Sequence, residues 1–341
     1  MDVKEQIEQV RNLLLTNKKP SYQTTDKKEV RVRCPYCGDS KKDKHHAHMY
    51  IQMMPPFMFH CKKCETSGVL NAQTLRDLNL FGNDLSMSII EANKSIKRTQ
   101  GVEKLNATVF DTKLNNVENE YTENAVNYVS ARLGKQLNNE LLVKKYKAIT
   151  NADQFFKDNH INKPLDWNNN LMYDFDNSVG FLSSDGSHVI FRDMTGQQRK
   201  KYFNLNLQPH NFSISGKIYN ISSNVNMLSS TVHLIMTEGI FDIIGVYEHF
   251  YKDKVPDNND FIFAAACGKG FLAVVSHYIQ MGFLDLDITI YSDNDVDSQV
   301  YRDMKNSSPY LKNNVITIYY NTIEKDFGVP IEHIKLRKMV I

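Results

Sequence analysis

Two pairs of cysteines carry the first chemical signal. Cys34-Pro35-Tyr36-Cys37 and Cys61-Lys62-Lys63-Cys64 each set two thiols across a two-residue spacer, with 23 residues between the pairs. A Cys-x2-Cys turn aims two sulfurs at one point, and zinc takes four soft thiolates in a tetrahedron. Gly38 after the first knuckle, and Ser67-Gly68 after the second, help the backbone turn beneath an ion. The spacing predicts one Zn²⁺ on Cys34, Cys37, Cys61 and Cys64. The site is structural, because four thiolates leave no position open to water. A thiol redox pair, or cysteines packed as small hydrophobes, is the competing reading. The fifth cysteine, Cys267, reads as a turn residue.

Four histidines, His45, His46, His48 and His60, lie between the knuckles and read as surface or packing residues. Lys41, Lys42, Lys44, Lys62 and Lys63 crowd the same stretch with Tyr36, Tyr50, Phe57 and Phe59, and residues 1–80 hold 14 Lys and Arg against 9 Asp and Glu. Cations interleaved with stackable rings suit single-stranded nucleic acid. A solvated lysine face over a small aromatic core is the alternative.

Carboxylates form the second constellation. The apolar run VHLIM leads into Thr237-Glu238-Gly239, with Asp242 four residues beyond Glu238, and LDITIY leads into Ser292-Asp293-Asn294-Asp295. Both sets of acids follow a strand-like run, so in a parallel sheet they would meet at adjacent strand ends. Crowded carboxylates repel one another and call for hard divalent cations, which in turn bind phosphate oxygens. Such a site is suited to phosphoryl or nucleotidyl transfer.

These groups need elements to hold them. The chain has 341 residues, 41% hydrophobic and 23% charged, enough for two or three cores. Net charge is +2, so any basic surface is local. A mean hydropathy of −0.45, with no long uncharged apolar run, argues against a transmembrane protein. The charged opening MDVKEQIEQV argues against a secretory signal, and the unpaired cysteine count fits a reducing compartment.

Residues 1–89 read as a zinc-ribbon DNA-binding domain: an amphipathic helix, short strands around the cysteines, then a helix or two. The polar stretch 90–118 reads as a linker, partly disordered. Residues 119–230 read as an α+β module with a helix ending at Gly134 and strands over SVGFLSS, SHVIFRDM and KKYFNLNL. In residues 231–341, VHLIM, DFIFAAA, LDITIYS and VITIYY alternate with helix-length segments, which predicts an α/β domain with a mostly parallel sheet.

The last third resembles the Toprim domain shared by bacterial-type primases, topoisomerases and some nucleases, through TEGIFD at 237–242, CGKG at 267–270 and SDNDVD at 292–297. Asp297-Ser298 departs from the family's usual Asp-x-Asp and small pair, leaving Asp297 as a third acid or a helix cap. The order of zinc ribbon, linker, α+β module and Toprim resembles replicative DNA primases of bacteria and their phages. CPYCGDS…FHCKKCETSG looks like their zinc ribbon, with Cys37 where the bacterial form commonly has His. AVNYVSARLG at 125–134 is similar to a primase segment carrying an Arg before its Gly, and VIFRDMTGQQRKKYFN at 189–204 and GKIYN at 216–220 resemble a shortened basic segment of the polymerase core.

The resemblance implies a DNA primase, a template-directed RNA polymerase making short RNA primers on single-stranded DNA for replication by metal-dependent nucleotidyl transfer. Glu238, Asp242, Asp293 and Asp295 would surround Mg²⁺ or Mn²⁺. Arg192, Arg199, Lys200, Lys201, Tyr202 and Asn204 would bind template or ribonucleoside triphosphate, and Lys325-Asp326 is a further basic–acidic pair. Single-stranded DNA template and ribonucleoside triphosphates are the expected partners, a separately encoded replicative helicase is a further candidate, and the cytoplasm of a bacterial cell or phage-infected host is the expected location. The competing functions are a Toprim nuclease or recombination protein with a zinc-ribbon module, and a non-enzymatic zinc-ribbon DNA-binding factor.

Overall fold

The computed structural model describes residues 3–17, 20–39, 43, 45–55, 57–82, 86–87, 89–90, 112–114, 119–166, 169–184, 186–207, 218–221, 231–255, 260–268, 270–281, 283, 285–308 and 310–341. The expected linker over 90–118 falls almost wholly outside the described residues, as do Lys41, Lys42, Lys44 and Lys269. Among the described residues no helix is long and apolar enough to cross a membrane.

Helix α1 (Val3–Asn17) forms on helical spacing of apolar side chains, with Val10 and Leu14 one turn apart and fully buried. Five strands follow in an antiparallel sheet of sequential order: β1 (Ser21–Gln23), β2 (Glu29–Val32), β3 (Met49–Gln52), β4 (Met58–Cys61) and β5 (Ser67–Val69). Alternation sets its faces: Val30, Val32, Met49, Ile51 and Phe59 point inward, while Arg31, Tyr50 and His60 point outward. Helix α2 (Ala72–Asp77) closes this part of the chain.

Helix α3 (Glu120–Leu133) ends, as its sequence predicts, at Gly134, which takes a left-handed φ of 60° where a Cβ would meet Pro330 at 2.6 Å. Helix α4 (Asn139–Lys144), β6 (Ala148–Ile149) and α5 (Ala152–Asp158) lead to β7 (Ser178–Leu182), β8 (His188–Asp193) and β9 (Tyr202–Asn206), giving an antiparallel sheet ordered β6-β7-β8-β9. Helices α2 to α5 are each capped by an asparagine, Asn71, Asn119, Asn138 and Asn151, whose side chain accepts a first-turn N–H.

The C-terminal sheet is mixed. Strands β10 (Tyr219–Asn220), β11 (Val232–Thr237), β12 (Phe261–Ala265), β13 (Leu286–Ser292), β14 (Ile316–Asn321) and β15 (Leu336–Val340) lie in the order β10-β12-β11-β13-β14-β15. The four central strands are parallel and the two edges antiparallel. Between them run α6 (Ile240–Val246), continued by a π-turn at Tyr247–Tyr251, then α7 (Phe271–Gln280) and α8 (Ser298–Ser307).

Period-two alternation divides each central strand between two cores. Leu234, Met236, Ile288, Ile290, Ile316 and Ile318 face a core shared with α1, the cysteine-bearing sheet and α7. Ile235, Phe263 and Tyr291 face a second core with α3, α6 and strands β6 to β8. The expected classes are all present: a small antiparallel sheet with the cysteines, an α+β middle, and a mostly parallel α/β layer.

Candidate functional site

The turns flanking β4 and following β2 bring the four sulfurs together. Gly38 N donates to Cys34 O at 3.0 Å and Glu65 N to Cys61 O at 2.8 Å, so both knuckles close by the same turn. Sγ of Cys34 lies 3.8 Å from that of Cys64, and Sγ of Cys37 lies 3.9 Å from that of Cys61. All four sulfurs lie within 4.8 Å of one another. A tetrahedron with metal–sulfur bonds of about 2.3 Å has edges of about 3.8 Å, so the donor set fits one zinc ion. Burial pushes the Cys34 thiol well up, while hydrogen bonds from the other three sulfurs hold the Cys64 thiol down.

None of the histidines joins the cluster: His46 pairs with Asp43, His48 with Asp39, and His60 with Ser67. Asp39 is a residue the sequence reading passed over. It is 2% exposed, accepts the Cys34 N–H at 2.7 Å and holds the His48 ring at 2.6 Å, fixing the first knuckle from behind. An acid two residues after the knuckle's second cysteine was the available signal.

The stackable rings need correction. Tyr36, Phe57 and Phe59 are buried, Tyr36 against Phe59 and Tyr310, so they cannot meet a nucleobase. Tyr50 alone of the four remains accessible. The open face instead carries a cross-strand row, Tyr22, Arg31, Tyr50 and His60, each the ladder partner of the next. The Arg31 guanidinium lies 5.5 Å from the Tyr22 ring and 5.7 Å from Tyr50, and Lys62 Nζ lies 4.2 Å from Tyr50.

The acids sit where the sheet order reverses. From β11 the chain adds β12 on one side, then returns to place β13 on the other, and such a switch point opens a crevice at the carboxyl ends. Thr237 pairs with Tyr291, so Glu238 and Asp293 leave adjacent strands nearly level. Burial and then Glu238 raise the Asp293 carboxyl to about 6. Asp295 is exposed, and Lys325 Nζ lies 2.9 Å from it and 3.6 Å from Asp293.

Asp242 is placed differently, on the first turn of α6 and 7% exposed. One oxygen accepts the N–H groups of Phe327 and Gly328 at 3.2 and 2.9 Å, and the other accepts that of Gly239 at 3.0 Å. Its carboxyl is raised to about 7 by burial, then by Asp326 and Asp293. Asp242 thus anchors the 326–328 loop beside the crevice. Asp326, the acid of the Lys325-Asp326 pair, belongs to the same group of charges. Asp297 is a helix cap, accepting the Gln299 N–H at 2.8 Å. Cys267 is a turn residue with φ of 50°. Among the described residues the carboxylates are not drawn within 4.8 Å of one another in threes, as the thiols are. Their mutual repulsion, with hard oxygen donors, nonetheless fits a divalent cation of the Mg²⁺ or Mn²⁺ kind.

Cations from α3, β8 and the turn into β9 gather near Asp326. The Arg192 guanidinium lies 4.9 Å from the Tyr202 ring; its Nε donates to Tyr128 Oη at 3.3 Å and Asp193 O at 3.1 Å, and among the described residues its buried Nη1 has no hydrogen-bond partner. Arg132 donates from Nε to Gly328 O at 3.2 Å, approaches Asp326 at 3.7 Å and lies 4.5 Å from the Phe241 ring. Partial burial and repulsion from Arg192 and Arg132 lower Lys201, with Asp326 pulling the other way. Arg192 and Tyr202 are ladder partners, and Asn204 follows two residues on along β9. Arg199 and Lys200 are exposed in the turn before β9. The structure therefore brings Arg132, Arg192, Lys201 and Tyr202 to the acids' side of the molecule. Arg132 was noted in sequence only as part of a motif.

No family model matches the chain, and no curated protein matches it. In its fold the chain is similar to the crystal structure of the zinc-binding and RNA polymerase domains of Aquifex aeolicus primase, at 13% identity and a TM-score of 0.33, over 96% of this chain and 81% of that one.

Proposed function

We propose that the protein is a DNA primase, synthesising short RNA primers on single-stranded DNA. The observation that supports this reading is the pair of acid-bearing strand ends at the β11–β13 switch point, Glu238 beside Asp293 and Asp295, with Arg132, Arg192 and Lys201 gathered near Asp326 of the neighbouring loop. Nucleotidyl transfer from a triphosphate needs both charges. The attacking 3′-hydroxyl and departing pyrophosphate call for acids that hold cations, and the non-reacting phosphates call for guanidinium and ammonium groups. A bound Mg²⁺ or Mn²⁺ would supply neutralisation of the phosphate charge there. Arg192, its guanidinium held by Tyr202 and Tyr128, would offer its charge to a phosphate oxygen. Asp242 holds the 326–328 loop against α6, and Arg132 ties the same loop to α3. The outer face of the small sheet, with Tyr22, Arg31, Tyr50 and Lys62, would hold the template by stacking and phosphate contact.

The test is incubation with single-stranded DNA, labelled ribonucleotides and Mg²⁺ or Mn²⁺, beside an Asp293→Ala/Asp295→Ala variant. Short labelled RNA from the wild type and none from the variant is expected. Cleavage of the DNA without RNA, abolished in the variant, would replace this reading with a nuclease. If neither product forms, even with a replicative helicase added, the enzymatic reading fails.

A further inference from the structure

The crevice already contains a cation of its own chain. Lys325 Nζ spans Asp295 at 2.9 Å and Asp293 at 3.6 Å, and no other Lys, Arg or His pairs with either acid among the described residues. The side chain is 61% exposed and long enough to swing, but its backbone is fixed. Lys325 O accepts the Asn294 N–H at 2.9 Å, and Glu324 O accepts the Asn294 side-chain amide at 3.0 Å. Two and three residues on, the N–H groups of Phe327 and Gly328 donate to buried Asp242. Hydrogen bonds to Asn294 and to Asp242 fix the loop that delivers this ammonium to the two acids. An ammonium and a divalent ion cannot share the space between the same carboxylates.

We propose that Lys325 is a resident counter-ion that competes with divalent metal for Asp293 and Asp295, and that moves onto the phosphates of a nucleoside triphosphate when metal and nucleotide enter together. The inference rests on the reading of these acids as a metal site. Metal arriving alone must displace the ammonium into water. Metal arriving with a triphosphate leaves it with new anionic oxygens, so the two ligands bind cooperatively, and the coupling is reciprocal.

The experiment measures Mn²⁺ binding to the full, zinc-loaded chain by electron paramagnetic resonance of free Mn²⁺. Equilibrium dialysis then gives the affinity for the Mn²⁺ complex of a non-hydrolysable ribonucleoside triphosphate. Lys325→Met is expected to bind Mn²⁺ alone about three- to tenfold more tightly than wild type, and the Mn²⁺–nucleotide complex more weakly by a similar factor. Lys325→Arg, which keeps the charge, is expected to restore wild-type behaviour in both. Mn²⁺ affinity unchanged or weakened in Lys325→Met, while Asp293→Asn/Asp295→Asn loses Mn²⁺, would overturn the counter-ion and leave the metal site standing. Equal Mn²⁺ binding by wild type and the double acid variant would overturn both.

Discussion

Asp293 and Asp242 illustrate how neighbours divide the work of like residues. Both are raised, to about 6 and about 7, first by burial and then by surrounding acids, from an ordinary value of 3.8. Between the unfolded and folded values the folded chain binds more protons. In buffer free of Mg²⁺ and Mn²⁺, stability is therefore lost as pH rises from about 4 to about 7. Asp293 has one oxygen near Lys325 and, among the described residues, none committed to a backbone N–H, whereas Asp242 holds three. Asp293→Asn should therefore keep the fold, raise the melting temperature at pH 8 by a few degrees, and flatten its dependence on pH below 7. Under the proposed primase function, the same variant should lose about 100-fold or more of nucleotidyl transfer, since a neutral amide is a poor partner for a hard cation. Thermal melts across pH 5–8, run beside primer synthesis, check both halves. A melting temperature that falls at pH 8 would mean that the charge stabilises the crevice.

At the scale of elements, the loop at 324–330 decides how the crevice is built. It is clamped between α6, through Asp242, and α3, through Arg132 and the contact of Gly134 with Pro330. Gly328 has no room for a side chain: a Cβ there would meet Phe241 Cβ at 2.8 Å and Asp242 Oδ1 at 3.2 Å. Gly328→Ala should cost about 1–3 kcal/mol by overpacking, seen in denaturant melts, and should shift the Lys325–Asp295 contact enough to alter Mn²⁺ affinity. An unchanged midpoint and unchanged Mn²⁺ binding would show that the loop does not set the site. This loop was nearly invisible in sequence. The acids at 238 and 293 were legible because period-two apolar runs announce the strands and parallel order brings their ends level. Asp242 finds its partners 85 and 86 residues away, and Asp39 works behind a knuckle, so no local period reports either. Strand β10 has two residues, and β15 exposes Leu336 and Val340, so neither shows the alternation that marks a buried strand. The aromatic residues misled for a related reason: composition counts rings without saying which face of a sheet they take.

At the scale of the molecule, the cysteine-bearing sheet and the parallel sheet are joined by one core. Tyr36, between the two knuckle cysteines, stacks on Phe59 at 6.1 Å and on Tyr310 at 6.3 Å. Tyr310 Oη donates to Asp77 in α2, and the Asn71 side chain reaches Gln280 O at the end of α7. A cleft of about 420 Å³ lies along this seam, lined by Lys63, Cys64 and Glu65 on one side and by Phe271, Tyr301 and Met304 on the other. Tyr301 donates to Ser292, the residue before Asp293, so the seam reaches to within one residue of the acids. The four thiols gather the loops that carry Tyr36 and Glu65, and with zinc on them a sheet of this size would depend on the ion for much of its order. Stripping zinc with a chelator, or Cys61→Ser/Cys64→Ser, should therefore uncover the α7 face as well as loosen the small sheet. Amide exchange in α7 is expected to quicken by an order of magnitude or more, with α6, on the opposite core, changing little. If exchange in α7 stays unchanged while the small sheet unfolds, the parallel layer is stable without its neighbour and the shared core is only a docking contact. If α6 quickens as much as α7, the two cores unfold as one unit, and the zinc site supports the carboxylate crevice directly.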